Sequence, residues 1–179
     1  MDYASTYKDR TDEIIDLFTS TFTASEGAEE GRLIGQLVTD MFATANDTDM
    51  FVFSALHDGA IVGAILFTRL TYPQDDRNVF LLSPVAVATH QQGKGIGQKL
   101  LRHGLNSLRQ QGVDAALTYG DINFYSKVGF NQITEVDAQA PLPLQYPQGW
   151  LGQSLTDRPL DPLKGPSRCV DALNSPDYW

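Results

Sequence analysis

Six consecutive residues, Gln92-Gly93-Lys94-Gly95-Ile96-Gly97, carry the plainest chemical signal in the chain. Glycines at alternate positions lead into the leucine pattern Leu100, Leu101, Leu105 and Leu108, which predicts a helix from Ile96 until Gly112 ends it. Glycine permits positive backbone dihedrals and lets a ligand approach the main chain. The first N–H groups of a helix have no partner inside it and carry partial positive charge, so such a turn favours an anion, a phosphate above all. Spacing excludes two better-known phosphate loops. A P-loop needs Gly-Lys followed by Ser or Thr, and here Gly95 follows Lys94. The dinucleotide fingerprint needs G-x-G-x-x-G after the first strand of a βαβ unit, whereas this sequence has G-x-G-x-G after a hairpin. On glycine spacing alone, a loop whose glycines merely relieve crowding is as good an account as a ligand site.

A second motif lies downstream, Tyr125-Ser126-Lys127-Val128-Gly129-Phe130. Together the two resemble the signatures of the GCN5-related N-acetyltransferases (GNAT): Gln/Arg-x-x-Gly-x-Gly/Ala at Gln92 to Gly97, and a Tyr-x-Lys-x-Gly-Phe ending at Tyr125 to Phe130. The resemblance covers Phe51 to Ile133 well and the N-terminal helices in outline. It is nearest to a bacterial subgroup of predicted acetyltransferases in which a Gly-Asp step, here Gly120-Asp121, precedes a short helix. It implies that acetyl-coenzyme A is the co-substrate, with its diphosphate on the amides of Gln92, Gly93, Lys94, Gly95, Ile96, Gly97 and Gln98. The pantetheine arm would pair with the backbone of Val85, Ala86 and Val87 in the manner of an added strand.

Acetyl transfer to an amine needs a neutral nucleophile, a stabilised oxyanion and a proton for the departing thiolate. The resemblance gives the last role to Tyr125 as general acid, and a backbone N–H on the preceding strand, Val85 foremost, to the oxyanion. For the base, Glu26 falls where this family builds its acceptor site, although a carboxylate in an acidic run such as Glu26, Glu29 and Glu30 is more often simply solvated. Many relatives bind pantetheine through an asparagine seven residues before the tyrosine; Thr118 stands there in this chain, leaving Asn123 as the candidate substitute. Asp121 reads as a helix cap. His57, His90 and His103 are scattered with no ligand spacing, so no metal site is expected.

These residues need elements to position them. Apolar spacing predicts helices over Asp9–Thr19 and Arg32–Ala43, separated by the polar stretch Ser25–Glu30. The period then changes: Met50–Leu56 and Ile61–Leu70 read as strands joined by a turn around Asp58-Gly59, followed by strands at Val79–Ala88 and Ala115–Tyr119 and a short helix from Ile122 to Val128. Pro84 cannot donate to a sheet ladder, so a bulge or an exposed edge is expected there. The order of elements predicts an α/β (α+β) fold with helices on the faces of a sheet. The resemblance sharpens this to a mixed, mostly antiparallel sheet whose fourth and fifth strands splay apart.

The 179 residues suit one domain, with residues 139–179 a proline-rich arm packed on it and Arg168–Leu173 its final strand. A net charge of −9 disfavours nucleic acid and anionic lipid and suits a cationic amine. The single cysteine, Cys169, excludes an internal disulfide, and the acidic N-terminus has no apolar run of a signal or membrane span, so a cytoplasmic enzyme without a membrane partner is expected. Because many GNAT relatives dimerise through C-terminal strands, the aromatic stretch from Trp150 to Trp179 is either a homodimer interface or a lid. The expected activity is acetyl transfer to a primary amine of a small molecule or peptide by direct attack in a ternary complex. The alternative is a non-catalytic acyl-coenzyme A sensor or interaction domain.

Overall fold

The computed structural model describes residues 1–179. Its strands are β1 (Asp2–Ala4), β2 (Met50–His57), β3 (Ala60–Arg69), β4 (Val79–Val87), β5 (Ala115–Tyr119), β6 (Asn131–Gln132) and β7 (Trp150–Ser154); its helices are α1 (Thr11–Glu26), α2 (Ala28–Thr44), α3 (Ile96–Gln110) and α4 (Ile122–Tyr125). The strands form one mixed sheet in the order β1-β2-β3-β4-β5-β7-β6. Only β4 and β5 are seen to run parallel; β1 with β2, β5 with β7 and β6 with β7 are antiparallel. The expected mixed, mostly antiparallel sheet with flanking helices is therefore present. Two compact units divide the chain, Met1–Phe67 with Pro84–Gly104, and Thr68–Ser83 with Leu105–Trp179.

In the first unit, α1 and α2 are longer than apolar spacing predicts. Ser25–Glu30 is not a polar connection: helix continues through it except at Gly27, whose φ of 100° breaks the run. Glutamate is a good helix former wherever no burial is demanded, and Glu29 and Glu30 sit in the first turn of α2, where negative charge complements the helix dipole. The pair packs closely because Gly31 and Gly35 of α2 lie against Thr19 and Thr23 of α1, leaving no room for a side chain. Ile14, Leu17 and Phe18 from one helix and Ile34, Leu37, Val38 and Met41 from the other are buried. Each such side chain contributes roughly 1.5–3 kcal/mol by leaving water. The β2–β3 turn has positive φ at both Asp58 (50°) and Gly59 (80°), the primed geometry that matches strand twist. Glu13 pins it to α1, accepting from the Ile61 amide at 2.9 Å, while Arg10 bonds both Glu13 and the Gly59 carbonyl.

In the second unit, β5 lies between β4 and β7. The last strand is β7 at Trp150–Ser154, and not Arg168–Leu173: Arg168 makes a single bridge to Thr71, and Asp171–Leu173 is a 3-10 turn. Pro166 and Pro176 flank that stretch and, lacking the N–H, cannot extend a ladder beyond it. Trp150 and Trp179 are buried, meeting edge to face at 5.9 Å, and the Trp179 ring stacks on Tyr119 at 6.2 Å. Both indoles are satisfied, Trp150 donating to the Ala138 carbonyl and Trp179 to that of Leu173. Asp75 accepts from the Arg77 guanidinium and from the Lys164 amide, tying the β3–β4 loop to the proline-rich stretch. That arginine, with the amide bonds, holds the Asp75 carboxyl well below the usual carboxylate range.

Candidate active site

Gly93 and Gly95 have φ of 76° and 75°, and a Cβ placed on either would meet nothing within 4 Å. Crowding therefore does not explain these glycines; backbone conformation does. The turn lies exposed ahead of α3, whose first internal bond runs from Lys99 N–H to the Gly95 carbonyl at 3.2 Å. The amides of Ile96, Gly97 and Gln98 belong to the first turn, which by helix geometry has no carbonyl to receive them. The Gln92 side chain faces the turn's own frame: its amide donates to the Val87 carbonyl at 3.0 Å. Lys94 is exposed, its ammonium on the Gln91 side-chain oxygen at 2.9 Å.

Ahead of the turn, β4 carries the bulge that Pro84 demanded. Leu70 N–H bonds the Val79 carbonyl and Ala88 N–H bonds the Val62 carbonyl, so the eight residue steps from Val62 to Leu70, along β3 and one residue past it, face nine from Val79 to Ala88, along β4 and one residue past it. One extra residue on β4 reverses which way its amides point along the strand. On the other edge, the parallel ladder with β5 runs from Val79↔Ala115 to Leu82↔Thr118 and goes no further, while β4 continues to Val87. Val85 and Val87 are half-buried and Ala86 is buried against β3. With its carbonyl held by Gln92, Val87 keeps less free backbone than Val85 for a strand-like ligand.

In the second unit, Tyr125 closes α4. Its motif has a mechanical basis: Gly129, at φ 97°, turns the chain so that Phe130 N–H reaches the Tyr125 carbonyl at 3.2 Å and the Phe130 ring is buried. The tyrosine ring meets Phe124 and Phe130 edge to face at 5.0 and 5.7 Å. It lies so close over Gly120 that a Cβ there would come within 2.8 Å of it. Burial of the phenol pushes its pKa up to about 12, against a smaller lowering by the Thr118 side chain.

The Acetyltransferase (GNAT) family model matches residues 11–130, which take in both motifs and the strands and helices around them. The chain belongs to the GNAT acetyltransferase family. As a GNAT protein it is an acyltransferase, and its relatives carry the same label. The uncharacterized N-acetyltransferase YjhQ of Escherichia coli K12 is 35% identical over 122 residues, 65% of this chain and 67% of that one. The uncharacterized N-acetyltransferase YhbS of the same strain is 27% identical over 118 residues, 66% of this chain and 68% of that one. Among solved GNAT structures, Escherichia coli YhbS in complex with CoA matches with a TM-score of 0.83 at 23% identity, covering 97% of this chain and 92% of that chain. A GNAT acetyltransferase from Brucella melitensis in complex with acetyl-CoA matches at 0.71 with 21% identity, covering 97% of each.

The remaining sequence candidates in this GNAT chain are scattered. Glu26 is exposed and is the last residue of α1, not part of a loop. Asp121 caps α4 by accepting from the Asn123 N–H at 2.9 Å, and Asn123 itself is exposed. Two contributors escape sequence reasoning, the Leu82 carbonyl and Gly120. Leu82 becomes relevant only through its register opposite Thr118, and Gly120 only through the ring that lies on it.

Proposed function

We propose that this GNAT chain moves acetyl from acetyl-CoA to the primary amine of a small molecule or peptide by direct attack in a ternary complex. The observation that carries the proposal is the turn at Gly93 and Gly95: two left-handed glycines with nothing to pack against, opening a helix whose first amides have no internal partner. In this reading the amides from Gly93 to Gln98 receive the coenzyme diphosphate, and β4 beyond Leu82, with Val85 and Ala86 foremost, receives the pantetheine arm. The CoA and acetyl-CoA in the two solved relatives support that reading.

The amine nitrogen attacks the thioester carbonyl, the C–S bond breaks, and the thiolate leaves with a proton from Tyr125. The phenolate is then reprotonated from solvent, and the proton shed by the amine passes to Glu26 directly or through water. A free thiol has a pKa near ~8.5, so handing it a proton from a phenol at about 12 runs uphill by roughly 3–4 units, about 5 kcal/mol. The proton therefore moves late, when the thiolate has been desolvated and its own affinity for a proton has risen, and before that Tyr125 acts as a hydrogen-bond donor to developing charge.

The test is release of coenzyme thiol from acetyl-CoA in the presence of polyamines, aminoglycosides, amino acids and lysine peptides. Amine-dependent release is expected, slowed ~10²- to 10⁴-fold in Tyr125→Phe with coenzyme affinity unchanged. Tight coenzyme binding with no release over the whole panel would sink the enzyme reading and favour an acyl-CoA sensor.

A further inference from the structure

Gly120 has no conformational reason to be glycine, since its backbone is not left-handed as those of Gly93, Gly95 and Gly129 are. What it lacks is room: a Cβ there would lie 2.8 Å from Cε2 of Tyr125, 3.5 Å from Cδ2 and 3.8 Å from Cζ. Cε2 adjoins the ring carbon that bears the hydroxyl, so pressure on it moves the phenol oxygen. The strand end is held against retreat. Gly120 N–H donates to the Gly149 carbonyl at 2.9 Å, and the Gly120 carbonyl oxygen lies 3.2 Å from where a Cβ on Gly149 would stand. The tyrosine backbone is held as well, its N–H donating to the Asp121 carbonyl at 3.1 Å and its carbonyl accepting from Phe130 N–H at 3.2 Å. Phe124 and Phe130 meet the ring edge to face, so its tilt over Gly120 is the freedom that remains. We propose that Gly120 is a positioning residue: its bare Cα is the seat of the Tyr125 ring and sets where the phenol oxygen stands.

This inference rests on Tyr125 serving as the acid, and a double-mutant cycle separates the two. In Gly120→Ala the ring edge must retreat from 2.8 Å to the 3.4 Å of ordinary contact, beyond the ~0.5 Å within which a catalytic group has to be held. Thiol release from acetyl-CoA is measured with whichever amine of the panel the parent acetylates, alongside CoA affinity and Tm by calorimetry. Expected is a loss of ~10- to 100-fold in kcat, with CoA affinity unchanged and a lower Tm. A phenyl ring keeps Cδ2 and Cε2, so in the Tyr125→Phe background the fall in Tm should persist while Gly120→Ala costs no further rate. A merely structural role would cost the same rate in both backgrounds. Should Gly120→Ala fail to fold, Gly149→Ala takes its place in the cycle: its Cβ presses on the Gly120 carbonyl, for a loss of ~3- to 10-fold that again requires the phenol. Parent-like kcat, a rate loss undiminished without the phenol, or a fall in CoA affinity that accounts for the rate would each overturn the positioning role while leaving the acid in place. If Tyr125→Phe turns over like the parent, or the parent acetylates no amine, the acid itself falls, and with it anything for Gly120 to position.

Discussion

The raised phenol of Tyr125 governs two dependences on pH. Tyrosine in an unfolded chain titrates near ~10, and here it holds its proton until about 12, so between those values the folded state binds a proton that the unfolded state has lost. Its contribution to stability is thus complete below ~10 and disappears as pH rises toward 12, by up to about 2 kcal/mol. Urea melts at pH 9, 10.5 and 11.5 should show the parent losing that increment while Tyr125→Phe lacks this share of the slope. The same proton affinity means Tyr125 sets no alkaline limb in the rate below pH ~10; a rise in rate from pH 7 to 9 belongs to deprotonation of the amine. At the turn, Gly95→Ala meets no atom but must adopt φ near 75°, which costs an L-residue about 1–2 kcal/mol. If the coenzyme requires that geometry, its Kd should rise ~5- to 30-fold by calorimetry. An unchanged Kd would remove the turn from the site.

For the helices the corresponding test is Gly31→Ala in α2. Alanine improves helix propensity by ~1 kcal/mol, yet its Cβ would lie 2.7 Å from the Thr19 carbonyl oxygen of α1, a backbone atom that cannot swing away. Separation of the two helices should win, leaving a net loss of ~1–3 kcal/mol and a lower Tm by calorimetric melting. Most elements were legible from their apolar pattern: helical spacing in α1, α2 and α3, nearly unbroken buried runs in β2, β3 and β5 and the first half of β4, and a β2–β3 turn written in Asp58-Gly59. What was illegible lacked such a pattern. β1 is three residues with none buried, β6 is two exposed residues, and β7 hides its Trp150-Leu151 pair just after Pro147. Glu26 read as loop because a solvated helix end needs no apolar residue. In the site, the two motifs and the proline were visible as letters, whereas the bond from Thr118 to Leu82 exists only once the parallel register sets them side by side.

Across the whole chain, the proline-rich segment has a structural part to play in its own unit. Trp179 is 3% exposed, stacked on Tyr119 and bonded to the Leu173 carbonyl. Trp179→Ala should cost ~3–5 kcal/mol in denaturant melts, as truncation of a buried indole does. No helix is long and apolar enough to cross a membrane. The two tryptophans of the sequence, Trp150 and Trp179, both lie in the second unit, and α1 and α2, the two longest helices, lie in the first. Emission excited at 295 nm therefore sees one unit alone, while ellipticity at 222 nm is weighted toward the other, so the chain carries two built-in reporters without any label. Superimposed urea curves from the two signals are the outcome expected of a single cooperative domain, and displaced midpoints would show two.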